Sequence, residues 1–184
     1  MSDYGHFSGN PRTEWLSDLD APDRDMRLLE EFSYTDPDGR VWAAPKGGVV
    51  NGASIPRPLW ATVGSPYTDD YRNASIVHDI ACDDPNVARE DADKMFYFAC
   101  LAGGCTLPQA ALLYLGVRIG AWASEVKKWR PFSRAELLYR LPGQREASEA
   151  ALFAKYAAIA VEINALGETP SFEQVDALVR IGLR

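Results

Sequence analysis

One imidazole and several carboxylates crowd a single stretch, ASIVHDIACDDPNVAREDADKMFYFAC, residues 74–100. It reads as two helices joined by a tight turn near Pro85. An antiparallel hairpin turning there sets His78 opposite Asp93 and Cys82 opposite Arg89. The Asp93 carboxylate then accepts a hydrogen bond from one ring nitrogen. That contact fixes the tautomer and leaves the other nitrogen to act as a base. Asp93 and Tyr97 share a helix face by i, i+4 spacing, so the phenol could join the same group. The competing reading of His78 is structural, a histidine that ties two helices together through Asp93.

Asp79, Asp83, Asp84, Glu90 and Asp91 surround this pair. For the last four, helix capping and the favourable position of acids in a first turn are sufficient reasons. Asp79, together with a turn carbonyl, could ligate a hard cation such as Ca²⁺. Zinc is disfavoured, because the chain has 2 histidines and His6 lies in the N-terminal arm.

The second stretch is NGASIPRPLW, residues 51–60. A Ser flanked by small residues suggests a nucleophile on a strained turn, but such an elbow needs Gly on both sides. Here Ile55 and Pro56 follow, and Pro56 drives Ile55 into an extended conformation. Ser54 therefore reads first as a turn stabiliser and only second as a nucleophile. Asn51, Gly52, Ser54 and Trp60 form a rigid lip that shapes a site beside His78.

These side chains need elements to hold them. Residues 1–25 are polar with scattered Pro and Gly and read as an irregular arm. Residues 27–45 contain two short runs around Asp36-Pro37-Asp38-Gly39, a type I turn signature, which predicts a β-hairpin. From Thr68 or Asp69 the chain is helical almost to its end. Helices are expected to about Cys82, from about Val87 to Gly103-Gly104, from about Leu107 to Trp129, over residues 146–166, and from a Ser171 cap to about Ile181. Gly116, Gly120 and Ser124 form a small-residue stripe expected to receive the Ala-rich helix 146–166. The result is one α+β domain, mostly α. A β-hairpin and rigid turn precede a helical body with an antiparallel helix hairpin at about 69–103 and long C-terminal helices.

Composition narrows the function classes. With 184 residues, 47 % of them apolar, one domain can bury a sizeable core. A net charge of −7 argues against non-specific nucleic-acid binding. The N-terminus lacks the basic start and apolar centre of a Sec signal peptide, which points to the host cytoplasm or a virion. The apolar run 107–126 carries Arg118 at its middle, which favours a buried helix over a membrane span. Cys82, Cys100 and Cys105 are an odd set with no CxxC pair, and read as buried thiols rather than a disulfide scaffold.

The motif order itself carries a resemblance. Asn-Gly-Ala-Ser-Ile-Pro, Trp60, Ala74-Ser75-Ile76-Val77-His78-Asp79 and Ala92-Asp93-x-x-Phe96 resemble domain-of-unknown-function family 1353 over about residues 28–103. The resemblance implies a small protein of bacteriophage or prophage type, and residues 107–184 are then a helical extension. Asn51 stands where that family usually has Asp, and Cys82 where it usually has Tyr. The arrangement of His78, Asp79 and Asp93 is also similar to that of secreted phospholipase A₂ enzymes. That second resemblance implies Ca²⁺ on Asp79 and a water activated by His78.

Two functions follow as expectations. One is a hydrolase in which His78, oriented by Asp93, activates water against an ester or amide of the bacterial envelope, with lipid or peptidoglycan as substrate. The other is a non-enzymatic accessory protein that binds a phage or host protein.

Overall fold

The computed structural model describes residues 3–16, 25–52, 55, 59, 70–125 and 142–184, with side chains described up to residue 123 and again from residue 149. Six short strands precede five helices among these residues. The strands form two antiparallel three-stranded sheets. In one, β4 (Phe32–Thr35) lies between β1 (His6–Phe7) and β5 (Val41–Ala44); in the other, β3 (Met26–Leu28) lies between β2 (Thr13–Trp15) and β6 (Val49–Val50). The chain is thus α+β and mostly helical.

The expected hairpin is β4–β5, with Tyr34 opposite Trp42. Its turn closes through a hydrogen bond from the Gly39 amide to the Asp36 carbonyl at 2.9 Å. The Asp36 side chain completes it, accepting from the Asp38 and Arg40 amides at 3.0 and 2.9 Å and from Trp42 Nε1 at 2.9 Å. Alternation along β4 and β5 buries Phe32, Tyr34, Trp42 and Ala44 on one face. The N-terminal arm departs from the sequence expectation, because it contributes β1 and β2. Each is too short to show a hydrophobic period, and each is held by a partner strand rather than by its own pattern.

Helix α1 (Arg72–Asp83) is the centre of the molecule, packed against β4, β5, β6 and α2 (Arg89–Ala102). Seven of its residues, from Ala74 to Asp79 and Ala81, are buried, as befits a helix covered on several sides. The Thr68 or Asp69 cap lies outside the described residues, and the helix begins at Arg72. Helix α2 ends at Gly103-Gly104 as expected. A Cβ on Gly103 would sit 2.1 Å from the Asp70 carbonyl oxygen, so only glycine permits this approach.

Helix α3 (Leu107–Glu125) packs on α2, on α4 (Pro142–Asn164) and on α5 (Phe172–Gly182). Thr106 and Gln109 form a reciprocal cap at its start: the Gln109 amide donates to Thr106 Oγ1 at 3.3 Å, and the Thr106 amide to Gln109 Oε1 at 2.9 Å. The small-residue stripe does not serve α4 at Gly116. Added Cβ atoms there would meet Ile55 at 3.2 Å, so the missing side chain makes room for the loop after Gly52. Ser124 lies outside the described side chains. The Ser171 cap is present, with a full capping box to Gln174. Among the described residues, no helix is long and apolar enough to cross a membrane.

Candidate functional site

The antiparallel pairing of α1 and α2 brings His78 and Asp93 together. His78 Nε2 donates to Asp93 Oδ1 at 2.7 Å, and both residues are 0 % exposed. The sequence register therefore located this contact. It did not locate what else Asp93 holds. Arg89 Nε donates to the same oxygen at 2.9 Å, from one turn earlier on α2. Arg118 Nη1 reaches Asp93 Oδ2 at 3.2 Å from the middle of α3, and its Nη2 reaches Glu90 Oε1 at 3.3 Å. Glu90 also lies 3.7 Å from Arg180 on α5, and Arg180 binds Asp176, which accepts from Tyr114 Oη at 2.7 Å. One chain of charges thus runs from α1 through α2 and α3 to α5.

The electrostatics follow from burial. Desolvation lowers the His78 pKa, and the favourable contact with Asp93 does not restore it. For Asp93, burial pushes the carboxyl up, but the hydrogen bond and charge of His78 and then of Arg89 outweigh it, so its pKa is lowered. The consistent state is an ionised Asp93 neutralised by two guanidiniums, with a neutral imidazole donating from Nε2. Cys82 Sγ lies 3.4 Å from Nε2 and 3.8 Å from the other ring nitrogen, Nδ1. Burial pushes the Cys82 thiol up to about 12, so it is a protonated thiol at neutral pH rather than a nucleophile. Opposite Arg89 in the sequence register, Cys82 feels that guanidinium's charge, while Arg89 Nε is spent on Asp93.

His78, Cys82 and Asp93 offer three ligand atoms within 4.8 Å of one another. Two guanidiniums on Asp93 oppose a divalent cation there, because they already supply the positive charge a metal would bring.

Asp79 holds the neighbouring turn through one carboxylate oxygen. Its Oδ2 accepts the backbone amides of Asn51 and Gly52 at 2.8 and 2.7 Å. Gly52 has φ of +95°, a conformation that aims successive amides at one anion and that side chains resist. Oδ2 thus commits its lone pairs to two N–H donors. Asp79 pins the start of the 51–60 stretch onto α1. Asn51 and Gly52 therefore sit beside the His78 helix as expected, while Ser54 and Trp60 lie outside the described residues. Tyr97 does not join the pair. Its ring packs on Phe98, Tyr114 and Phe172, with centroids 5.2, 6.2 and 5.1 Å away, and its buried hydroxyl has no hydrogen-bond partner among the described residues.

The sequence carried two usable signals for the missed guanidiniums. Arg118 is an isolated charge in an apolar helix, and such a charge requires a buried partner. Arg89 stands four residues before Asp93, the spacing of a helical ion pair.

The His78–Asp93 pair lies within a known family segment. A model described as "Protein of unknown function (DUF1353)" matches residues 26–117. The chain belongs to this family. The DUF1353 segment contains His78, Asp79, Asp93 and the 51–60 stretch, and it ends one residue before Arg118. Two relatives come from Sinorhizobium fredii. One, named uncharacterized protein y4jT, is 33 % identical over 127 residues, 67 % of this chain and 37 % of its own length. The other, named uncharacterized protein y4iH, is 38 % identical over 101 residues, 54 % of this chain and 42 % of its own. The chain thus spans about two fifths of the length of the curated relatives it matches. No solved structure matches it.

Proposed function

We propose that the chain is a non-enzymatic accessory protein of phage or prophage type that acts by binding a phage or host protein. In this reading the His78–Asp93 pair is the polar keystone of its helical core. One observation carries it: both residues are wholly inaccessible, and both Asp93 oxygens are taken by cationic or imidazole donors. A general base must reach a water and a substrate, and a catalytic carboxylate is ordinarily held by the base it orients rather than by two guanidiniums. An open cleft supports a binding role. It is about 280 Å³, lies between the β4–β5 turn and the face of α2 bearing Asp91, Lys94 and Phe98, and includes Arg40 stacked over Trp42 at 3.8 Å. That face of α2 is not the one that holds Asp93.

The test has two arms. The purified protein is assayed on phospholipid vesicles and on peptidoglycan, and no turnover is expected. Turnover that disappears in a folded His78→Asn variant overturns the reading. In parallel, binding to the phage and host proteins retained by the wild type is expected to weaken at least tenfold in Lys94→Glu and to persist in His78→Asn.

The hydrolase remains a second reading, favoured by the 2.7 Å contact between His78 and Asp93. In it, His78 Nδ1 is the base for water, and ester or amide bonds of the envelope are the target. The first arm of the same test decides between the two.

A further inference from the structure

The turn between α2 and α3 has the sequence Cys100-Leu101-Ala102-Gly103-Gly104-Cys105. Its backbone closes in a specific pattern: the Cys105 amide donates to the Cys100 carbonyl at 3.0 Å, and the Gly104 amide to the Leu101 carbonyl at 3.1 Å. Gly104 takes a positive φ of +112°. These two nested bonds define a Schellman motif, in which the residue three before the cap and the second residue beyond it bring their side chains into contact. That contact is ordinarily made by two apolar residues. Here both positions are cysteine, and the Cys105 thiol is near enough to act on the ionisation of Cys100. The reciprocal Thr106–Gln109 cap begins at the next residue, so the turn is fixed from both helices.

We propose that Cys100 and Cys105 are a thiol–disulfide site, oxidised by a low-molecular-weight disulfide such as glutathione disulfide to a bond that staples α2 to α3. A disulfide needs α-carbons about 4.4–6.8 Å apart, and a nested six-residue turn brings its two ends within that kind of reach. Cys105 is partly exposed and Cys100 is buried, which orders the steps. The Cys105 thiolate attacks one sulfur of glutathione disulfide, the S–S bond of the reagent breaks, and one glutathione leaves with the proton Cys105 gave up. The Cys100 thiolate then attacks Cys105 Sγ and expels the second glutathione, which takes the proton from Cys100. Two electrons pass from the protein to the reagent, and two glutathione thiols are released. Burial, followed by the neighbouring Cys105 thiol, holds the Cys100 thiol well above its ordinary range, so the second step quickens as pH rises. Cys82 lies on α1 and takes no part.

The wild-type protein suffices for the test. It is equilibrated with reduced and oxidised glutathione mixtures, blocked with iodoacetamide and digested with trypsin. Residues 95–118 form one peptide that contains both cysteines of the pair and lacks Cys82. The expected product is that peptide lighter by two hydrogens and carrying no alkyl group, while a Cys100→Ser variant accumulates glutathione on Cys105. A doubly alkylated wild-type peptide, or one that keeps glutathione on Cys105, overturns the proposal, as does a bond that forms only after denaturation. Oxidation is expected to raise Tm by roughly 4–9 °C from closure of so short a loop. An unchanged or lower Tm shows that the native turn does not accommodate the bond, and counts against the site.

Discussion

Asp93 and Asp79 are buried carboxylates on adjacent helices, and their partners differ in kind. Asp93 is held by side chains from three helices, His78, Arg89 and Arg118. Asp79 is held by two backbone amides of one turn. A carboxylate with guanidinium partners is a member of a charge balance, so its loss leaves cations stranded in the core. A carboxylate with amide partners is a clip on a loop, so its loss frees a segment and leaves the core neutral. The first fixes how helices pack. The second fixes where residues 51 and 52 lie beside α1.

The largest expected effect breaks the first arrangement. Asp93→Asn removes the charge that two guanidiniums face, and unfolding in urea is expected to show a loss of about 3–5 kcal/mol. Asp93→Leu combined with Arg89→Met and Arg118→Met should recover much of that loss, because both stranded cations go with their partner. Next comes the clip. Asp79→Ala is expected to cost about 1–3 kcal/mol by leaving two amides unpaired. Gly52→Ala is expected to cost about 1–2 kcal/mol through its positive φ. Because both act on one turn, the double variant should cost less than the two effects added, which a double-mutant cycle measures.

The third effect is one of pH. His78 has its folded pKa lowered below 6.5, so the unfolded chain binds its proton more readily. Stability is therefore full above about pH 6.5 and falls as pH drops below it. Asp93, also lowered in the folded state, adds a further loss below its ordinary 3.8. Thermal unfolding across roughly pH 2–8 should show both declines, and His78→Gln should remove the first while the more acidic one remains. The smallest effect is at Tyr97. Its hydroxyl is buried with no hydrogen-bond partner among the described residues, so Tyr97→Phe should leave Tm unchanged or raise stability by up to about 1 kcal/mol.

The readable part of the fold was local. Asp36-Pro37-Asp38-Gly39 encodes its own turn, Ser171 and Gln174 their own cap, and the register of a helix hairpin about Pro85 suffices to pair His78 with Asp93. What was not legible depends on contacts between distant segments. Arg118 lies 25 residues from Asp93, and the same charge that spoke against a membrane span gave no address for its partner. Asp79 has the side chain of a cation ligand, and only the folded turn shows two amides aimed at it. Tyr97 has the spacing to reach Asp93, yet the rings of Phe98, Tyr114 and Phe172 draw it elsewhere. Strands β1 and β2 have too few residues to carry a period, and pairing alone defines them.

Those two strands have a consequence for how the family segment can exist by itself. The match to DUF1353 begins at residue 26, where β3 starts, so β1 and β2 precede it. Each covers one outer flank of a central strand, β1 on β4 and β2 on β3. A chain trimmed to the matched segment would keep His78, Asp79, Arg89 and Asp93, lose Arg118, and bare the hydrogen-bonding rims of two different sheets. Bare rims are templates for pairing between molecules. Such a fragment should self-associate by strand addition, while the longer chain guards against it with five residues.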